Sequence, residues 1–140
     1  MLLEDVGAYL DAQVAGLSIG STGNLFLCPF PEQAPDASVA IVEYAGLPSI
    51  RAMGPNAGAP IAEVARFQVV VRDVLNNFST ARTLAQTITN TLDHIADVSL
   101  VSGGTRYLYI VALGQPTYIG EDANARHRFT VNFECTKERG

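Results

Sequence analysis

Few residues in this chain combine reactive side chains with spacings that chemistry uses. Its two histidines are His94 and His127. His94 follows Asp93 on the polar side of a helical stretch and reads as a solvated residue rather than a general base. His127 opens an alternating stretch between Arg126 and Arg128 and reads as a packed or hydrogen-bonded imidazole. Glu121, Asp122 and His127 would make a three-ligand metal site only if a loop folded them together, and their spacing matches no established pattern. Asp122 with Arg126 fits a salt bridge that shapes the loop. Cys28 and Cys135 have neither CxxC spacing nor a flanking histidine, so zinc is not supported. Both sit at strand-like positions and read as buried thiols, with a disulfide between them left open.

No serine stands in a Gly-x-Ser-x-Gly elbow. Gly16, Gly20 and Gly23 are not closed by Lys-Ser/Thr, and no strand precedes them, so they make no phosphate loop. An enzyme needs a nucleophile–base pair, paired carboxylates or a metal. The chain is therefore expected not to be an enzyme, to need no metal or cofactor, and to work through its surfaces.

The bulk composition points the same way. The chain has 140 residues, 48% hydrophobic and 16% charged, with net charge −5. That length suggests one domain, 1–140, able to bury its own core. The charged fraction is well below the typical ~25%. Subunit interfaces are depleted in charge at their centres, so an oligomer is expected. Lys137 is the only lysine, and the arginines never form a run. Sequence-independent DNA binding draws on several phosphate contacts from such residues, so a dedicated nucleic-acid-binding module is not expected. Acidic Glu4 and Asp5 stand where a signal peptide would be basic. No apolar run approaches the ~18 residues of a membrane span.

The elements that position these residues follow from periodicity. Leu3, Val6, Leu10 and Val14 predict an amphipathic helix ended by Gly16. Leu25 to Cys28 reads as a short strand, and Pro29, Pro31 and Pro35 then forbid regular structure. Val39 to Tyr44 alternates as a strand. Gly46 to Pro60 is Gly- and Pro-rich and reads as a long loop or arm that touches a neighbour. Ile61 to Arg72 is a half-buried strand, with Phe67, Val69 and Val71 on one parity and Arg66, Gln68 and Arg72 on the other. Ala81, Leu84, Ala85, Ile88, Leu92 and Ile95 then fall on one face of a helix, with Asn77 or Ser79 as its cap. Its threonines are mediocre helix formers, so packing must hold it.

Val98 to Val101 reads as a strand, and Ser102 to Thr105 as a hairpin turn. Arg106 to Leu113 sets Tyr107, Tyr109 and Val111 on one face and Leu108, Ile110 and Ala112 on the other. The last strand sets His127, Phe129, Val131, Phe133 and Cys135 against Arg126, Arg128, Thr130, Asn132 and Glu134. The predicted class is α+β: a mostly antiparallel β-sheet packed with two α-helices, an α/β sandwich.

Three stretches resemble the tail-terminator and minor-capsid (head–tail joining) family of long-tailed bacteriophages. One is the Gly/Pro-rich arm running into Ala65-Arg66-Phe67-Gln68-Val69-Val70-Val71-Arg72-Asp73. The next is the helix with Ala81, Ala85, Ile88 and Leu92. The third is Gln115-Pro116-Thr117-Tyr118-Ile119-Gly120-Glu121-Asp122, then Arg126 and the strand ending Val131-Asn132-Phe133. The resemblance implies a virion subunit, assembled in the host cytoplasm, that forms a ring at the head–tail junction, commonly a hexamer. The ring would stop polymerisation of the tail tube protein, meet a neck or connector protein, and let DNA pass without specific binding; no membrane is involved.

A ring contact joins one patch to a different patch next door. Arg66, Gln68 and Arg72, with Arg51 and Met53 of the arm, are expected on one side of it. Asp122, Arg126 and Arg128 are expected on the other. Two other readings compete: another neck component, such as a head-closure or connector subunit, and a small ligand-binding module.

Overall fold

A computed structural model describes residues 2–19, 23–31, 34–51, 60–73, 77–101 and 104–138. Helix α1 is Leu2–Gln13 and buries Leu2, Val6, Gly7 and Leu10. Gly16, at φ 89°, stops it in the left-handed region that favours glycine. The strands are β1 (Leu25–Phe26), β2 (Ser38–Arg51), β3 (Pro60–Asp73), β4 (Ile95–Ser99), β5 (Arg106–Ala112), β6 (Thr117–Glu121) and β7 (His127–Glu138). Helix α2 is Phe78–Leu92. The strands form one seven-stranded sheet in the order β1-β2-β3-β7-β5-β4, with β6 also paired to β7. Every pairing is antiparallel except β1 with β2. The α+β class and the two helices are as the periodicity predicts.

The sheet is built around β3 and β7, which stay in register from Ala62↔Glu138 to Asp73↔His127. Phe67 faces Phe133 across this ladder, with ring centroids 5.1 Å apart and planes within 13°. Phe67, Val69, Val71, Phe129, Val131, Phe133 and Cys135 are all buried on the face that carries the helices. The alternation seen in the sequence therefore becomes one covered face and one face without a helix.

Four expectations are corrected. The supposed arm 46–60 is strand at both ends: β2 runs on to Arg51, β3 begins at Pro60, and 52–59 lies outside the described residues. The added residue that shifts the register after Tyr44 is tolerated because Gly46 has no Cβ; one there would collide with the Val64 carbonyl oxygen. The second helix ends at Leu92, not Ile95. The Asp93 N–H still bonds the Thr89 carbonyl, but His94 turns to φ 61°, and Asp93 Oδ1 accepts the Ala112 N–H at 2.8 Å. Ile95 then opens β4 opposite Ile110 and still packs against the core. In β5, Leu108 is an extra residue between the Tyr107↔Lys137 and Tyr109↔Thr136 pairs, which flips the parity, so Tyr107 and Ile110 are both buried. Finally β1 stops at Phe26, and Cys28 is an exposed free thiol, whereas Cys135 is buried and free.

One side-chain hydrogen bond ties a helix to the sheet, and others lie within the second helix. Tyr107, fully buried, donates to Asp5 Oδ2 at 2.7 Å and ties α1 to β5. In α2, Thr87, Thr89 and Thr91 each return their hydroxyl to the carbonyl four residues back, at 2.9, 2.8 and 2.8 Å. Back-bonding of this kind satisfies a polar group where packing offers no partner.

Truncating the central stack should be costly. Phe133→Ala is expected to lower the unfolding free energy by about 3–5 kcal/mol in urea titration. Burial pushes the Cys135 thiol up to about 12, against an ordinary 9.0. The unfolded chain then loses that proton first, so stability is complete below the ordinary value and falls as pH rises between the two. Thiol titration at pH 8 is expected to find Cys28 reactive in the native protein and Cys135 only after denaturation.

Candidate subunit interface

The expected interface residues can now be placed one by one. Arg66 and Gln68 lie on the helix-free face of β3. Arg66 Nε donates to Glu134 Oε2 at 3.1 Å, and Gln68 Nε2 to Asn132 Oδ1 at 3.1 Å, each across a register pair with β7. Tyr109 Oη reaches Glu134 Oε1 at 3.5 Å from the next strand. These side chains form rungs of a polar ladder open to solvent.

Arg72 shares their parity but not their exposure, at 6%. Its Nη2 donates to the Pro35 and Ala34 carbonyls at 2.9 and 3.3 Å, and its Nε to the Asp36 carbonyl at 3.3 Å. The guanidinium carbon stands 4.1 Å from the centre of the Phe30 ring. Burial holds its pKa below the ordinary arginine value, helped by the like charge of Arg126 and opposed by Asp122 and Asp36. Arg72 is thus a clamp on the proline-rich segment before β2, not a side chain offered to a neighbour.

Asp122 and Arg126 make the predicted loop salt bridge, Nε to Oδ2 at 2.7 Å. Asp122 Oδ1 also accepts the N–H groups of Asn124 and Arg126 at 2.9 and 3.0 Å. Burial alone would raise the Asp122 pKa; these hydrogen bonds and the Arg126 charge outweigh it and leave the carboxyl below its usual range. Arg126 Nη1 reaches Asp36 Oδ1 at 3.3 Å, which joins the β6–β7 loop to the segment Arg72 clamps. Arg128 faces Arg72 in register, and its Nη2 donates to the Glu121 carbonyl of β6 at 3.3 Å. Met53 and the Arg51 side chain lie outside the described residues.

Arg72 of the first expected group and Arg128 of the second are cross-strand neighbours on one face of β3 and β7, with Asp122 and Arg126 in the adjoining β6–β7 loop. Sequence reasoning also missed an aromatic cluster on the other face. Phe78, at the start of α2, contacts the rings of Tyr118, His127 and Phe129 at 5.3, 5.1 and 5.2 Å. The Tyr118 hydroxyl is 2.9 Å from His127 Nδ1. Phe78 and Tyr118 are 41% exposed, while His127 is buried. Their separation in sequence hid them; only the β6–β7 pairing brings 118 to 127–129. Among the described residues, no three His, Cys, Asp or Glu side chains are grouped to hold a metal, and no helix is long and apolar enough to cross a membrane.

The fold matches a chain from the virion of a native gene transfer agent particle, with TM-score 0.67 at 18% identity, covering 99% of this chain and 95% of that one. No curated protein matches. The bacteriophage tail terminator family model matches residues 10–139, and the chain belongs to that family. It is a structural component of the phage virion, a tail terminator.

Arg72→Ala should lower the unfolding free energy by about 2–4 kcal/mol, since three carbonyls lose a charged donor and Phe30 loses its cation. Gln68→Ala, on the open ladder, should cost less than about 0.5 kcal/mol. Equal losses in urea denaturation would remove the distinction between clamp and ladder.

Proposed function

We propose that copies of this chain close into a ring, a hexamer in the commonest form, at the head-proximal end of the tail tube. The ring stops addition of tail tube protein and presents a surface to the neck or connector protein. DNA passes through the opening without specific binding. The observation that carries this reading is the family match over residues 10–139. The low charged fraction of 16% supports repeated contacts between copies, and the net charge of −5 suits a passage that does not hold DNA. Assembly takes place in the host cytoplasm, and the finished collar stays in the virion at the head–tail junction.

The test is to add the purified protein to polymerising tail tube protein and to isolated portal complexes, then image by negative stain. Ring-shaped caps on tubes, with tube growth halted at substoichiometric amounts, are expected. Binding to portals but not to tubes would identify a head-closure subunit instead, and a lone subunit bound to neither would end the ring reading.

A further inference from the structure

Helix α2 has an outward face that no other described element covers. Phe78, Ser79, Arg82, Thr83, Gln86 and Thr87 line a groove of about 580 Å³ along it. The Phe78 ring is held from within by Tyr118, His127 and Phe129, so this half-exposed aromatic is already ordered. Arg82 follows one turn later and is exposed. Among the described side chains, Arg66, Arg106, Arg126 and Lys137 stand in ion pairs, and Arg72 and Arg128 donate to backbone carbonyls. Arg82 does neither. It is the one charge in a groove otherwise lined by neutral residues, on a chain of net charge −5. Three exposed carboxylates, Glu4, Glu43 and Glu121, likewise make no side-chain hydrogen bond or ion pair with a described residue.

We infer that the α2 groove receives a second copy of this chain, whose Glu43 carboxylate meets Arg82. This rests on the ring reading above and names a contact that would close it. Glu4 lies in the first turn of α1, where the helix dipole already favours an acid. Glu121 pairs in register with His127 and so belongs to the receiving patch, beside Phe78. Glu43 stands across the subunit. It lies on β2 beyond Val39 and Ala40, the two residues that β1 covers, and no other strand flanks that edge among the described residues. It faces Phe67 in register, so it points to the side of the sheet that carries the helices, the side on which Arg82 also lies. Copies set side by side with their helix layers aligned therefore bring the two charges into one layer. Helix α2 lies over β3, β7 and β5, whereas α1 lies nearer β1 and β2, so the groove and the Glu43 edge are different patches. Joining unlike patches, copy after copy, closes a ring. Groove against groove would oppose two arginines, and β2 edge against β2 edge two glutamates, and like charges brought together are costly. Aromatic residues and arginine are the types enriched where proteins bind each other. Nucleic acid is the poorer occupant, because this is a single arginine on an acidic chain with one lysine.

The experiment is charge exchange, read as particle mass by light scattering and as ring caps on tail tubes by negative stain. R82E and E43R alter exposed side chains, and circular dichroism checks that each folds. Each single variant should lose about tenfold or more of the rings and caps. The double variant R82E/E43R should regain them, which a lost contact between Arg82 and the tube protein would not allow. A mixture of the two single variants should also regain them, since alternating copies restore every contact in a ring of even number. Should either reversal fail to fold, R82Q and E43Q remove the pair without adding a charge, and R82Q/E43Q should lose no more than either alone. A folded single variant that keeps full rings, or a loss that neither exchange restores, would overturn this contact while the ring reading stands. A wild-type chain that stays monomeric even on tail tubes would overturn the ring and this contact with it.

Discussion

The antiparallel pairing of β3 with β7 is the constraint on which the rest depends. Its register sets Phe67 on Phe133 and so fixes which residues enter the core. A slip of one residue would turn one strand over against the other, setting Arg66 and Gln68, or Thr130, Asn132 and Glu134, in place of that strand's core side chains. The same register builds the surface, because Arg66 meets Glu134 and Gln68 meets Asn132 only when the phenylalanines are stacked. Core and face are two readings of one ladder. Helices α1 and α2 cover one side of it, and the β2 and β5 strands extend it outward.

At its upper end the ladder needs help. Arg72 and Arg128 stand opposite each other, like charges on neighbouring strands. Arg72 is neutralised locally by carbonyls, the Phe30 ring and the nearby acids Asp36 and Asp122, and it orders the proline-rich segment. Asp122 fixes the β6–β7 turn through backbone N–H groups and then holds Arg126. The arginines that look alike in sequence thus differ: Arg72 and Arg126 are held by the subunit, while the buried Nε of Arg128 has no hydrogen-bond partner among the described residues.

Much of this was legible beforehand. The alternation from Arg126 to Cys135 and from Ala65 to Arg72 placed both central strands and their buried parity, because half-buried strands write a period of two. The Asp122–Arg126 salt bridge was readable from spacing in a turn. Other features depend on contacts that sequence spacing does not encode. The extra residue at Leu108 reverses a parity that looked regular. The helix stops three residues early because His94 takes a left-handed turn and Asp93 finds the Ala112 N–H. Arg72 looked like an exposed strand residue, and only the folding of residues 34–36 over it reveals a clamp. Cys28 has strand-like neighbours, yet β1 ends before it.

The back-bonded threonines of α2 have one more implication. Thr87 and Thr91 are drawn from the solvent-facing side of the helix, and their hydroxyl protons already point at carbonyls of the preceding turn. What remains outward is methyl groups and oxygen lone pairs. At Thr87 and Thr91 the surface therefore accepts hydrogen bonds and offers none, so the donors on this side of α2 are left to Arg82, Gln86 and Asn90.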